Sequence, residues 1–150
     1  MTVLFEKKVK IWYNNLMSLK RSGFKRKKKA EFTKPWYQVE CDKLLTPIAK
    51  MNEPRCIFCG NETQVGHHFI KKSESNRLRF YVPNLIGLCN FCHCRLHNHE
   101  SFWSAKIVQA RGIEWFDNLE EIKKEEVHTD LDYYKSNYER LKELVDNVII

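Results

Sequence analysis

The chain has 150 residues, 43% hydrophobic and 30% charged, with 26 Lys/Arg against 19 Asp/Glu and a formal net charge of +7. That length fits one ordinary domain with room for arms, and no apolar run is long enough to span a bilayer, which argues against a helical membrane protein. The opening MTVLFEKKVKIWYNN lacks the apolar core of a signal peptide, so a soluble, cytoplasmic protein is expected.

Residues 3–20 place Val3, Leu4, Phe5, Val9, Ile11, Trp12, Leu16 and Leu19 at roughly helical spacing, and Gly23 ends that pattern. Five consecutive basic residues follow: Lys25, Arg26, Lys27, Lys28 and Lys29. Residues 36–51 are ambiguous, because Pro47 interrupts any long helix. Residues 63–70 and 78–82 have β character, separated by a polar loop at 73–76. Pro83 and Asn84 break the second of these, and residues 85–88 form a short apolar strand. A helix carrying His93 and His97 should start near Cys92. Ser101 is the expected N-cap of the next helix and Gly112 its stop. A short helix over 114–124 and a last one starting at Thr129 or Asp130 complete the chain. The expected segments are a basic N-terminal helix and arm (1–52), a metal-stapled centre (53–100) and C-terminal helices (101–150).

Charge is unevenly spread. Residues 1–50 carry thirteen Lys/Arg and four Asp/Glu, residues 51–100 six and four, and residues 101–150 seven and eleven. A basic first third suits a polyanion such as DNA, whose counterions are released on binding. The alternative is a solvated charged tail.

The strongest signal is cysteine spacing. Cys56 and Cys59 form one Cys-x-x-Cys pair and Cys89 and Cys92 another. Four thiolates from two knuckles suit a closed tetrahedral Zn²⁺ site, whose binding free energy becomes folding free energy. Three disulfides are the alternative, disfavoured by the paired spacing without a signal peptide. Cys41 and Cys94 read as free thiols.

Between the pairs lie His67, His68 and Asn84, and His93 follows Cys92 directly. Adjacent residues on a strand face opposite ways. One histidine of the doublet can therefore ligate a metal while the other faces a nucleophilic water. This order resembles the HNH, or ββα-metal (His-Me finger), superfamily over residues 56–97. The resemblance implies an α+β fold, with a zinc-stapled ββα-metal core and flanking helices. It implies His67 and His93 as ligands of a catalytic divalent ion, His68 as general base, and Asn84 as the residue that braces the loop and orients the base. His97, one helical turn beyond His93, is a candidate further ligand, whereas His99 falls on another face. The implied ion is Mg²⁺ or Mn²⁺, while two or three imidazoles also suit Zn²⁺ or Ni²⁺.

A narrower resemblance runs from about residue 56 to 144. The strings GHHFIKKSESNRLRF, CNFCH and SFWSAKIVQARGIEWFDNLEEI look like the lambdoid phage NinG/Rap recombination proteins, and the zinc frame is similar to that of phage endonuclease VII. What this implies is a hydrolase: a metal-dependent DNA endonuclease acting in recombination on branched or Holliday-junction DNA, with a homodimer attractive for paired nicks. A nicking or homing-type endonuclease on duplex DNA is one alternative. A non-catalytic, zinc-dependent nucleic-acid-binding module is another, and RNA stays open as substrate.

Lys71, Lys72, Arg77 and Arg79 flank the site as phosphate clamps or as ordinary surface charges. Arg79 is the best suited, because a guanidinium grips phosphate bidentately. The basic residues 25–29 suit backbone contact without base reading. Trp12, Tyr13, Trp36, Tyr37, Trp103 and Trp115 read as packing residues rather than stacking platforms. On the last helix, beside Tyr133, Tyr134 and Tyr138, the stripe Leu131, Leu141, Leu144 and Val145 can pack on the domain or form a dimer contact.

Overall fold

A computed structural model describes residue 30 and residues 32–147. The helical pattern over 3–20 and the basic residues 25–29 lie outside the described residues. Within them the chain is α+β, with five α-helices and one two-stranded antiparallel sheet. None of these helices is long and apolar enough to cross a membrane.

Helix α1 (Lys34–Asn52) carries Pro35 in its first turn, where the missing N–H has no intrahelical partner to lose. It continues unbroken through Pro47, which corrects the expectation of an interruption. The bond that Pro47 removes would have gone to the carbonyl of Lys43, an exposed residue within reach of water. Buried Leu44 and Leu45 before the proline, and Ile48 and Ala49 after it, anchor both halves.

Strands β1 (Val65–His68) and β2 (Leu85–Leu88) pair in the register Val65↔Leu88, Gly66↔Gly87, His67↔Ile86 and His68↔Leu85. The sheet lies against the C-terminal half of α1, and two paired glycines permit that approach. A Cβ on Gly66 would stand 2.9 Å from Ala49 Cβ, and one on Gly87 would stand 2.8 Å from Glu53 Cβ. Strand β1 starts two residues later than the sequence suggests, although Gln64 N still donates to Leu88 O at 2.9 Å.

Residues 78–82 form no strand, contrary to their β character. Leu78 and Phe80 are fully buried, but successive turns bury them, closed by Arg79 N to Asn76 O and Tyr81 N to Leu78 O. Turns can bury alternate residues as a strand does, and among the described residues no partner strand stands beside them. A 3₁₀ turn (Val82–Asn84) then enters β2.

Helix α2 (Asn90–Asn98) starts at an N-cap supplied by Cys89. Helix α3 (Glu100–Arg111) follows with His99 as its N-cap, so Ser101 is not the cap. His99 ends one helix and begins the other, which leaves no room for a linker ending at Ser101. Gly112, at φ 94°, stops α3 as expected. Helices α4 (Ile113–Lys123) and α5 (Leu131–Asp146) complete the fold, and Asp130 caps α5 by accepting from Tyr133 N at 2.8 Å.

The cores follow from these faces. Tyr37, Cys41, Leu44, Leu45 and Ile48 of α1 pack with Phe80, Leu85, and Tyr134, Leu141 and Val145 of α5, so the first and last segments share one core. Of the apolar stripe on α5, Leu141 and Val145 face α1 while Leu131 and Leu144 remain exposed. A second core joins Ile86 and Leu88 to Leu96, Ile107 and three of the paired cysteines, with Trp103 and Trp115 packed against it. Glu53, at the end of α1, ties the layers together. Its carboxylate accepts from Gly87 N at 2.6 Å and pairs with Arg111 of α3.

Candidate metal centres

The sulfur centre is built from two turns. Gly60, at φ 71°, closes the first knuckle, with Gly60 N donating to Cys56 O at 2.9 Å and Cys56 N to Asn61 O at 2.7 Å. The second knuckle is the start of α2, where Cys92 N donates to Cys89 Sγ at 3.4 Å. The sulfurs of Cys56, Cys59, Cys89 and Cys92 all lie within 4.8 Å of one another. Two sulfurs bound to one zinc ion stand about 3.8 Å apart, near the 3.6 Å between Cys59 and Cys89. Burial pushes the Cys56 thiol up, but backbone N–H donors from Cys89, Phe58 and Cys59 outweigh it and bring the thiol to about 7. Burial and the neighbouring sulfurs push Cys92 strongly up. Four such thiols ionise together only around a cation, so the donor set fits a zinc ion. Cys41 and Cys94 are free thiols outside this group.

The nitrogen centre is built from β1 and α2. Strand alternation sends His67 toward His93 and His97 of α2 and His68 toward the Arg79 carbonyl. The His67 ring stands 5.3 Å from that of His93 and 5.6 Å from that of His97 (centroid distances), and His93 Nε2 is 3.1 Å from His97 Nε2. Two nitrogens on one ion stand about 3.3 Å apart at a tetrahedral angle. The three imidazoles thus form a second group able to hold a metal. Burial, together with the charges of His93, His97 and His68, pushes His67 down to about 4. Burial and His97 lower His93 as well. Both imidazoles therefore stay neutral near pH 7, as ligation requires.

His68 faces a different set of groups. Its Nε2 lies 2.8 Å from Arg79 O. A carbonyl only accepts, so Nε2 carries the ring proton and Nδ1 keeps its lone pair. Burial lowers His68, against the opposing pull of the Arg79 carbonyl. Asn84 is fully buried, and its side-chain hydrogen bonds go to Ile70 and Leu78 rather than to His68. It accepts from Ile70 N at 2.8 Å and donates to Ile70 O at 2.9 Å and Leu78 O at 3.2 Å, fixing the segment that carries the Arg79 carbonyl. His67, His68, His93 and His97 line one open cleft of about 460 Å³ together with Lys71 and Lys72.

No protein-family model, curated protein or solved structure matches this chain.

The cations around the cleft are matched by carboxylates. Lys71 pairs with Glu100 at 2.8 Å, Lys72 with Asp42 at 3.7 Å, and Arg77 with Glu125 at 2.7 Å. Arg79, read from the sequence as the best phosphate clamp, turns its largely buried guanidinium to Asp42 at 2.8 Å. Its carbonyl, rather than its charge, meets the His68 ring that lines the cleft. Two carboxylates at this site escaped the sequence reading. Asp42 lies 37 residues from its Arg79 partner and carries no motif signal. Glu100 lies three residues after His97, at the start of the next helix. Its carboxyl is held below the usual range by the hydrogen bond from Lys71, and its charge acts on His67 and His97.

Proposed function

We propose that this chain is a metal-dependent endonuclease of the HNH type, with its ββα unit formed by β1, β2 and α2. The observation that carries the reading is the convergence of three imidazoles, those of His67, His93 and His97, beside a fourth, His68, whose Nε2 proton is committed to a carbonyl. The resemblance of the His-His, Asn and His pattern to the superfamily supports the same assignment, and branched DNA is the proposed substrate.

His67, His93 and His97 would hold the catalytic ion. When bound, a divalent ion supplies charge stabilisation at the phosphoryl group and at the leaving 3′ oxygen. His68 accepts the proton of the attacking water at Nδ1, while Arg79 O stabilises the charge that develops on the ring. Asn84 keeps that carbonyl in place. Lys71 and Lys72, at the mouth of the cleft, exchange their carboxylate partners for substrate phosphates.

The test is cleavage of a labelled four-way junction beside a matched linear duplex, with Mg²⁺, Mn²⁺ or EDTA, for the native chain and His68→Ala. Cutting that EDTA abolishes and His68→Ala lowers at least about a hundredfold is the expected result. The rate should also persist below pH 6.5, because burial lowers the His68 pKa and keeps the base neutral there. No cutting of either substrate with any metal would leave a zinc-stapled nucleic-acid-binding module.

A further inference from the structure

Behind the sulfur centre, α2 and α3 present two rings to solvent. Phe91 is 67% exposed and Phe102 57% exposed, whereas Phe80 is buried and Phe58, Phe69 and Phe116 are half-buried. Each ring carries a cation. Arg95 lies 5.5 Å from the Phe91 centroid and 5.2 Å from that of Trp103, and Lys106 lies 5.0 Å from that of Phe102. Trp103 continues the cluster, 5.3 Å from Phe102 and 4.6 Å from Phe58. An open groove of about 450 Å³ runs beside it, lined by Ile57, Phe58, Trp103, Lys106, Gln109 and Ala110, with no carboxylate among them. The contrast with the histidine cleft is informative. There every flanking cation has an acidic partner, whereas Arg95 and Lys106 make no ion pair among the described residues.

We propose that this face binds unpaired nucleobases of a single DNA strand, which stack on Phe91 and Phe102 while Arg95 and Lys106 meet the phosphates. Flat apolar surfaces alternating with unmatched cations complement a polymer of flat bases and anionic phosphates. A duplex hides the base faces and offers only its backbone. The placement also names a substrate class. Phe91 and Arg95 lie four residues apart on α2, as do His93 and His97, and the two stripes are offset by about 200° around the helix. A strand crossing this one helix, about 10–12 Å wide, reaches both faces. The scissile phosphate then lies a few nucleotides from unpaired bases, as at a flap, gap or branch. That consequence rests on the nuclease reading. The binding itself rests on the ring and cation geometry alone.

The test uses the full zinc-loaded chain with His68→Ala, so that the DNA survives. Its affinity for a labelled oligodeoxythymidylate and for a duplex of equal length is measured by fluorescence anisotropy. Adding Phe91→Ala and Phe102→Ala, both on exposed rings, should weaken single-strand binding at least about tenfold, with duplex binding changed less than about twofold. Arg95→Gln with Lys106→Gln should flatten the salt dependence of single-strand binding. Unchanged single-strand affinity in the double phenylalanine variant would overturn the proposal, as would an equal loss for both DNAs. Self-association in sedimentation that the same variant abolishes, without any effect on DNA, would assign the face to a second copy of the chain and overturn it too. Phenylalanine-dependent binding by a chain whose native form cuts nothing would support this inference and sink the nuclease reading. Cutting with no phenylalanine dependence of binding would do the reverse.

Discussion

Asn84 shows how one amide can organise a segment that has no regular structure. Its Nδ2 donates to two carbonyls and its Oδ1 accepts one N–H, all in the interior. Aspartate has the same shape and lacks the donors, so Asn84→Asp would set an anion against the Ile70 and Leu78 carbonyls. The expected cost is about 3 kcal/mol, read as a lower urea midpoint. An unchanged midpoint would show that the brace carries no weight. The same substitution should also lower cleavage, because the Arg79 carbonyl held over His68 belongs to the braced segment. The proposed division of the doublet into base and ligand rests on strand alternation: His67 turns to His93 and His97, and His68 turns to the Arg79 carbonyl.

Between elements, the sheet approaches α1 closely at its paired glycines. A methyl group at position 66 would meet both Ala49 Cβ and the Leu45 carbonyl, the latter at 3.1 Å, and backbone cannot swing away as a side chain can. Gly66→Ala should therefore destabilise the fold by about 1–3 kcal/mol. Thermal melting would check it, and a melting temperature equal to that of the native chain would contradict the packing described. This scale also separates what the sequence makes legible from what it hides. Strand β2, the two knuckles, the Gly112 stop and the Asp130 cap are local signals, and each is readable from a few neighbouring residues. The continuity of α1 through Pro47 has no local signal: its first half packs with α5, more than eighty residues away, and its last turns lie against the sheet. The turns at 76–80 imitate a strand because burial alternates there, and only the absence of a partner strand reveals the difference. The Asp42–Arg79 pair joins two distant elements and had no signal to find. In the site itself, cysteine and histidine spacing located the donors. The acidic partners of the flanking cations are a property of the folded surface.

Across the molecule, two bodies of packing would respond differently to loss of a zinc ion from the sulfur group. The α1–α5 core contains one cysteine, Cys41, and that thiol is remote from the sulfur group. The second core is assembled on Cys56, Cys89 and Cys92. Stripping zinc with a strong chelator should thus remove part of the helical circular dichroism and leave the share of α1 and α5. The indole emission of Trp103 and Trp115, which pack against the second core, should move to longer wavelength. Loss of all helical signal in one step would mean that the two cores fold as a single unit.

Helix α2 takes its N-cap and one buried thiol from the sulfur centre, and it carries His93 and His97 for the nitrogen centre. One rigid element nine residues long is therefore held at both sites. Thermodynamic reciprocity then applies: any affinity that an ion in the first site lends to the second is returned in equal measure. With an ion proposed at each group, the supply of one metal would set how firmly the chain keeps the other.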